Sequence, residues 1–126
     1  MALTHELADG VLRFTTTGDV EYRDGLSVLT EGLASAAATP LAGGWHLLFD
    51  IRHSTEDRSP DELRGIAAII TAHRTSLSGN CAVVASDPLH YGLARMFGVF
   101  MEGLGFNASV FDTTEDTVAW FATCGS

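Results

Sequence analysis

The stretch AVVASDPLHYGLARMFGVFMEGLGFNASVF, residues 82–111, decides the fold class of this chain. It predicts a buried strand, then a helix, then a second strand. Asp87 and Pro88 are typical of a helix start, because aspartate caps the first amides and proline needs no amide partner in the first turn. Gly105 is typical of a helix end, since glycine readily adopts the left-handed conformation that closes a helix. The stretch therefore predicts a βαβ unit with parallel strands.

Strands and helices alternate through the rest of the chain. A hairpin is predicted at Asp9-Gly10, which separates two short runs of alternating polarity. The apolar segment WHLLFDI, residues 45–51, is the clearest central strand, and SPDE at residues 59–62 matches a capping box that opens a helix. We expect strands over residues 2–7, 11–16, 45–51, 81–86 and from 106, and helices over residues 20–38, 60–77, 88–104 and from 113. This order predicts one α/β domain over residues 1–126.

Apolar residues alternate with polar or small ones along the predicted strands, as Leu47 and Phe49 do with His46 and Asp50. Strands that are covered on both faces are instead apolar throughout. The main helical layer is therefore predicted on one face of the sheet. Because parallel crossovers are right-handed, helices on one face require sequential strand order. We expect a mostly parallel sheet of four or five strands with an antiparallel N-terminal edge strand. Such an order has no topological switch point, the usual ligand crevice of open α/β sheets.

The charge of the chain excludes some partners. The formal net charge is −9, and all seven basic side chains are arginine. Nucleic acid is not expected as a partner, because phosphate binding needs a cationic surface. The same charge opposes attraction to anionic lipid, so any peripheral membrane contact would be local and apolar. An arginine bias with abundant alanine and glycine favours a bacterial, GC-rich source.

The compartment is expected to be the cytoplasm. No apolar run approaches the roughly 20 residues that a membrane span needs, and the N-terminal segment MALTHELADG lacks a basic, apolar signal region. Cys81 in a predicted core strand and Cys124 near the end do not form a disulfide framework. Free thiols fit a reducing compartment.

The ordered set of segments resembles the SpoIIAA-like family, distant relatives of STAS domains with some likeness to CRAL-TRIO lipid-binding domains. The resemblance covers nearly the whole chain and rests on GDV at 18–20, LFDIR at 48–52, SPDEL at 59–63, AVVASD at 82–87, YGLARMF at 91–97, and TTE at 113–115 through AWF at 119–121. It implies a βα superhelix, and for this family it implies membrane association or an apolar ligand. STAS relatives switch by phosphorylation within an Asp-Ser-Ser-Gly pattern. Here residues 57–60 are DRSP, so only Ser59 is left and no intact phospho-switch is expected.

A polar rim is predicted where the parallel strands end and two helices begin. Unpaired amides and the helix dipole at such a rim favour a small anion or carboxylate. The simpler alternative is that Ser59 and Asp87 only cap their helices, that Asp50 pairs with Arg52, and that the histidines are solvated. The candidate rim residues are Asp50, Arg52, His53, Ser59, Asp87, His90 and Tyr91.

Neither metal nor catalytic chemistry is expected. His53, Glu56 and Asp57 lack the fixed spacing of a zinc motif. No G-x-S-x-G elbow and no glycine-rich phosphate loop occurs in the sequence. The chain is therefore predicted to be a non-enzymatic protein without a cofactor.

The apolar helix at residues 88–104 is the strongest functional candidate. A helical wheel predicts that Leu89, Leu93, Met96, Phe97, Phe100 and Leu104 cover the sheet. Met101 and Ala94 extend that apolar arc, and Val99 lies beyond it between Gly92 and Gly103. The candidate ligand or interface residues are Leu93, Met96, Phe97, Phe100 and Met101. A core helix, a homodimer seam, a cavity for a hydrophobic ligand and bilayer contact all fit this composition.

Two functions follow from these features. The first is a binding module for an apolar or lipid-like molecule, or for a membrane, through residues 88–104. The second is a STAS-type regulatory domain that binds a protein partner through the rim between Asp50 and Ser59.

Overall fold

The computed structural model describes residues 2–124 and contains five strands and four α-helices. A short 3₁₀ helix, Arg74–Ser76, precedes the fourth strand. The strands are β1 Ala2–Ala8, β2 Val11–Gly18, β3 Trp45–Ser54, β4 Leu77–Val84 and β5 Asn107–Phe111; the helices are α1 Tyr22–Ala38, α2 Pro60–Ala72, α3 Pro88–Gly103 and α4 Thr114–Cys124.

The sheet has the predicted sequential order β1-β2-β3-β4-β5. β1 pairs antiparallel with β2, and the remaining neighbours pair in parallel. The β1–β2 hairpin turns at Asp9 and Gly10, whose φ angles of 54° and 80° are both positive. Positive φ at both positions is the type I′ geometry that matches the twist of two antiparallel strands. The predicted α/β fold with an antiparallel edge strand is confirmed.

The helices are divided unequally between the two faces of the sheet. Helices α1, α2 and α3 pack on one face over the larger core, which includes Phe14, Leu47 and Val83. Helix α4 lies on the other face, where Phe121 packs with Leu48 and two further buried residues. The main helical layer is on one face, as the alternating strands predict.

The predicted boundaries are wrong around α2 and β4. Helix α2 ends at Ala72 rather than near residue 77, and β4 begins at Leu77 rather than at Cys81. Residues 78–80, which lie between the predicted helix and the predicted strand, form a bulge within β4, with Gly79 at a φ of +93° and a register shift against β3. Leu77 is buried, so burial of this side chain against Trp45 draws the segment into the sheet.

Two other boundaries differ from the prediction. β3 continues to Ser54, three residues beyond the predicted end. Helix α1 begins at Tyr22 rather than at residue 20, and its N-cap is Glu21 without a side-chain hydrogen bond. The buried residues of α1 are Leu29, Gly32, Leu33 and Ala36.

Both ends of α3 have the predicted caps. Asp87 accepts a hydrogen bond from the His90 amide at 2.9 Å, and Pro88 occupies the first turn. At the other end, Gly105 has a φ of +95° and its amide donates to Glu102. The Phe106 amide donates to the Met101 carbonyl, which completes a Schellman motif.

The face of α3 that meets the sheet matches the predicted one only in part, since Phe97, Ala94 and Met101 are buried. Leu89, Met96 and Leu104 are exposed rather than buried. The physical reason is close approach: the Cβ of an alanine at Gly98 would lie 3.7 Å from Ala108 of β5, so small residues let the helix approach the sheet. The buried residues of α3 are His90, Ala94, Phe97, Gly98 and Met101.

Candidate functional site

The loop at residues 55–59, called the strap below, joins β3 to α2 and is tied to the start of α1. Glu56 accepts a hydrogen bond from the Val20 amide at 2.9 Å and forms an ion pair with Arg58 at 2.8 Å. Arg58 donates to the Val20 carbonyl at 2.5 Å and lies over the ring of Tyr22, 5.3 Å from its centroid. The strap therefore has a defined conformation that depends on paired charges.

The Glu56 carboxyl lies in a partly desolvated position. Burial raises the pKa of Glu56, and the Asp19 carboxylate acts in the same direction. Arg58 and the Val20 amide oppose the rise but do not cancel it. Desolvation of the Glu56 carboxyl thus outweighs the stabilisation of its charge by Arg58 and by the Val20 amide.

His90 of α3 fastens the strap from the opposite side. Its Nδ1 lies 2.6 Å from an Asp87 carboxylate oxygen, and its Nε2 lies 2.8 Å from the Glu56 carbonyl oxygen. Both neighbours are acceptors, so both ring nitrogens must carry protons for both hydrogen bonds to form. Burial opposes protonation, yet the bonds to Asp87 and Glu56 raise the pKa of His90 above its usual value. The simpler alternative predicts that the histidines are solvated, but His90 is buried.

A cavity of about 120 Å³ lies between the sheet and the three helices of the larger layer, next to the strap. Its walls are mostly apolar, and one of them is aromatic. Phe14 and Phe49 are stacked with centroids 5.2 Å apart, and Phe97 meets Phe49 edge-on at 5.7 Å. The polar residues that line the cavity are Thr16, Tyr22, Ser54, Glu56, Arg58 and His90, and Glu56 and Arg58 belong to the strap.

A strip along the solvent side of α3, called the outer face below, consists of Leu89, Gly92, Met96, Val99 and Gly103, and the exposed Arg95 and Glu102 lie beside it. The exposed fractions of Leu89, Met96 and Val99 are 54%, 37% and 66%. A Cβ at Gly92 or Gly103 would meet nothing within 4 Å. A shallow groove formed by the start of α3 and the end of β5 adjoins this face, and Tyr91 and Phe111 line it. The outer face is thus an apolar strip in which Gly92 and Gly103 leave open space beside the larger side chains.

The other candidate residues of the helix have mixed positions. Phe97 and Met101 are buried, while Leu93 and Phe100 are half-buried. Leu93 and Phe97 line the cavity, and the Phe100 ring lies under Arg64 of α2, 4.6 Å from the guanidinium carbon.

Asp50 belongs to the opposite side of the sheet. It alternates with Phe49 along β3 and lies on the same face as Leu48, which packs with α4. Its carboxylate binds both Arg13 and Arg52 at 2.8 Å. Burial opposes ionisation, but the hydrogen bonds from the two arginines lower the pKa of Asp50 to about 2. The predicted rim is therefore divided between the two faces of the sheet.

The helix caps use the amides that the rim would offer to an anion. The Ser59 hydroxyl accepts a hydrogen bond from the Glu62 amide at 3.2 Å, and the Glu62 carboxylate accepts one from the Ser59 amide at 3.0 Å. Asp87 occupies the start of α3 in the same way. Of the other rim residues, His53 and Tyr91 are exposed. An anion site at the rim stays a prediction.

Neither a metal-ligand cluster nor a membrane-spanning helix is present in residues 2–124. No group of three histidine, cysteine or acidic side chains in this range is placed to hold a metal ion. No helix in it is both long and apolar enough to cross a bilayer. Cys81 and Cys124 are free thiols, and burial raises the pKa of Cys81 to about 12.

Sequence reasoning missed the strap. The sequence pattern marks Glu56 only as a metal-ligand candidate and marks neither Arg58 nor Tyr22 as a site residue. The one signal was the Glu-Asp-Arg triplet at residues 56–58, which also fits an ordinary solvated loop. Its partner Val20 contributes only backbone atoms, which no sequence pattern marks.

No protein-family model matches the chain, and no curated protein matches its sequence. Four chains among the solved structures are similar, and they include the following two. An uncharacterised protein of the DUF3478 family from Shewanella loihica PV-4, described as having a SpoIIAA-like fold, is 18% identical with a TM-score of 0.58, over 94% of this chain and 91% of that one. An anti-sigma factor antagonist from Mycobacterium paratuberculosis is 16% identical with a TM-score of 0.61, over 94% and 92%. The fold is therefore SpoIIAA-like, as the sequence resemblance implies.

Proposed function

We propose that this protein is a non-enzymatic regulatory module that binds a partner protein through the outer face of α3. The observation that carries the proposal is the exposed apolar strip of Leu89, Met96 and Val99. The fold supports it, because one neighbour of the same fold is named an anti-sigma factor antagonist, a name that describes action on another protein. Isolated exposed apolar residues are common, but a contiguous apolar strip typically marks an interaction site.

The geometry of the outer face fits an amphipathic helix. Its residues follow spacings of three and four, which is the seam along which two helices pack. Gly92 and Gly103 leave open space that lets a second backbone approach closely. The net charge of −9 attracts a basic partner. The proposed partner segment is therefore a helix with an apolar stripe and basic flanks.

Ser59 is not part of the proposed mechanism. Its hydroxyl and amide are both used in the capping box with Glu62. A phosphate at this position would face the Glu62 carboxylate, and like charges would repel. The protein is thus proposed to act without a phospho-switch.

We infer that the protein works in the cytoplasm, because its two cysteines are free and free thiols fit a reducing compartment.

The test is site-specific crosslinking followed by binding of the purified partner. A photoreactive residue at Val99 is compared with one at Val118, which is 62% exposed on α4 and serves as the control. The protein that crosslinks only from Val99 is then purified, and its affinity is measured by calorimetry. We expect Val99→Glu to weaken binding at least tenfold and Val118→Glu to change it less than twofold.

Gly92→Ala gives a second, independent readout. Alanine in a helix interior raises the free energy of unfolding by about 0.5–1 kcal/mol relative to glycine. Because the added methyl group enters open space, it meets no neighbour in the free protein. We therefore expect a more stable protein that binds its partner more weakly, a combination that a purely structural role of Gly92 would not produce.

Three results would overturn the proposal. One is crosslinking from Val99 to a second copy of the chain, with a dimer in solution that Val99→Glu dissociates. Another is sedimentation of the protein with phosphatidylethanolamine–phosphatidylglycerol vesicles in a Val99-dependent manner, which would assign the face to a bilayer. The third is partner binding that Val99→Glu leaves unchanged.

A further inference from the structure

We infer that the cavity beside the strap binds a compact, neutral molecule built on one aromatic ring. This site is separate from the outer face of α3 and does not depend on the proposed function. The cavity holds about 120 Å³. Apolar cavities of about 150 Å³ stay dry and take up benzene, whereas drug-sized ligands occupy about 300–1,000 Å³. The volume therefore limits the occupant to one ring with small substituents.

The walls favour an aromatic occupant. Phe14, Phe49 and Phe97 form a continuous stack-and-edge arrangement along one side of the cavity. Aromatic rings prefer offset-stacked or edge-on neighbours with centroids 4.5–7 Å apart, and the existing ring contacts already have this geometry. A bound ring would extend the cluster by one member. Leu26, Leu63 and Leu93 enclose it from the three helices.

The strap end determines the charge and the polar substituent. Arg58 is paired with Glu56, and His90 is paired with Asp87, so the charges near this end cancel in pairs. A charged ligand would find no unpaired counter-charge and would be desolvated at a cost. Tyr22 and Ser54 line the cavity at this end. The Tyr22 hydroxyl donates to the Glu62 carbonyl and the Ser54 oxygen accepts from the Glu56 amide, so Tyr22 can still accept and Ser54 can still donate one hydrogen bond to a hydroxyl or carbonyl group. The expected class is a neutral, phenol-like molecule.

Binding is tested with benzene, phenol and benzoate on the whole protein. Chemical shifts of ¹³C-labelled leucine and valine methyl groups are followed during each titration. Benzene and phenol are expected to shift the Val83, Leu26 and Leu93 methyls saturably, with a Kd of about 1 mM or tighter, which a ligand of six or seven non-hydrogen atoms can reach. Benzoate is expected to bind at least tenfold more weakly.

Filling the cavity gives the decisive variants. Ala94→Leu and Leu26→Phe add atoms to opposite helical walls, and each is expected to weaken benzene binding at least tenfold. Val28→Phe is the control, because Val28 lies on the same helix as Leu26 but does not line the cavity. If Ala94→Leu fails to fold, Leu26→Phe decides the question alone.

Two outcomes would overturn the inference. One is the absence of a saturable methyl shift up to the solubility of benzene in water. The other is benzene binding that persists in the filled variants. Val99→Glu separates this site from the outer face of α3, since it is expected to leave benzene binding unchanged while weakening partner binding.

Discussion

Replacement of Asp50 by asparagine tests the buried charge cluster on the α4 side of the sheet. The Asp50 side chain is 2% exposed and lies between Arg13 and Arg52, each at 2.8 Å. Despite desolvation, the arginines lower the pKa of this carboxyl from 3.8 to about 2. The difference between these two values corresponds to about 2.5 kcal/mol of stability at neutral pH. Asparagine keeps the shape but loses the charge, so a loss of about 2–3 kcal/mol is expected.

The lowered pKa of Asp50 also predicts how its contribution to stability changes with pH. A carboxyl whose folded pKa is depressed contributes its stability above the unfolded pKa and loses it as the pH falls through the folded value. For Asp50 this window extends from about pH 4 down to about pH 2. Urea unfolding at pH 7 and at pH 3 should therefore show a large difference between wild type and Asp50→Asn at pH 7 and a smaller one at pH 3.

The control for this prediction is Glu31→Gln, which removes one exposed carboxylate from the middle of α1. It should change the free energy of unfolding by less than about 0.5 kcal/mol. The reasoning is refuted if Asp50→Asn costs less than about 1 kcal/mol at pH 7. A difference between wild type and Asp50→Asn that stays the same at both pH values would refute it as well.

Three further predictions concern the strap and two local backbone features. His90 has a raised pKa, so its contribution to stability should be complete below about pH 6.5 and should decline as the pH rises through its folded pKa. Urea unfolding from pH 5 to pH 9 should show this decline, and His90→Gln should abolish it. Ser59→Ala should cost about 1 kcal/mol in denaturant unfolding and leave partner affinity unchanged, since Ser59 caps α2 and lies outside the outer face of α3. Gly43→Ala and Gly44→Ala both place alanine at positive φ, but only at Gly44 would the new Cβ collide with the backbone, 2.6 Å from the Leu77 carbonyl oxygen. Gly44→Ala should therefore lower the melting temperature clearly more than Gly43→Ala does, and equal shifts would contradict the argument.

Strand order could be predicted because it depends on local signals. Alternating polarity along β2 and β3 requires one main helical layer, and right-handed crossovers then leave only sequential order. The Asp9-Gly10 hairpin and the caps at Ser59 and Asp87 are equally local, since each cap bonds an amide within three residues. Interactions of this range are encoded in short patterns, and the structure confirms them.

The orientation of α3 could not be predicted from apolar periodicity. The wheel centres the inward face on the largest side chains, whereas the structure buries Phe97 but exposes Leu89 and Met96. It also buries Gly98, which the wheel leaves outside the apolar arc. The face of α3 that packs against the sheet is decided by the space between them, and that space depends on the side chains of β5, such as Ala108. His90 is drawn inward by Asp87 and by a backbone carbonyl 34 residues away, an interaction that no spacing rule contains.

Helix α3 buries Phe97 and Met101 but leaves other large apolar side chains exposed, which core packing alone does not require. A helix that only had to stabilise the core would bury its leucine, methionine and valine, because burying each such side chain contributes about 1.5–3 kcal/mol. It would also avoid Gly92, which costs about 1 kcal/mol in a helix interior. Here Leu89 and Val99 are exposed on either side of that glycine, which adjoins open space. Core packing explains the buried residues of α3 but not this outer arrangement, whereas close contact with a second helix explains both the exposed apolar residues and the glycines between them.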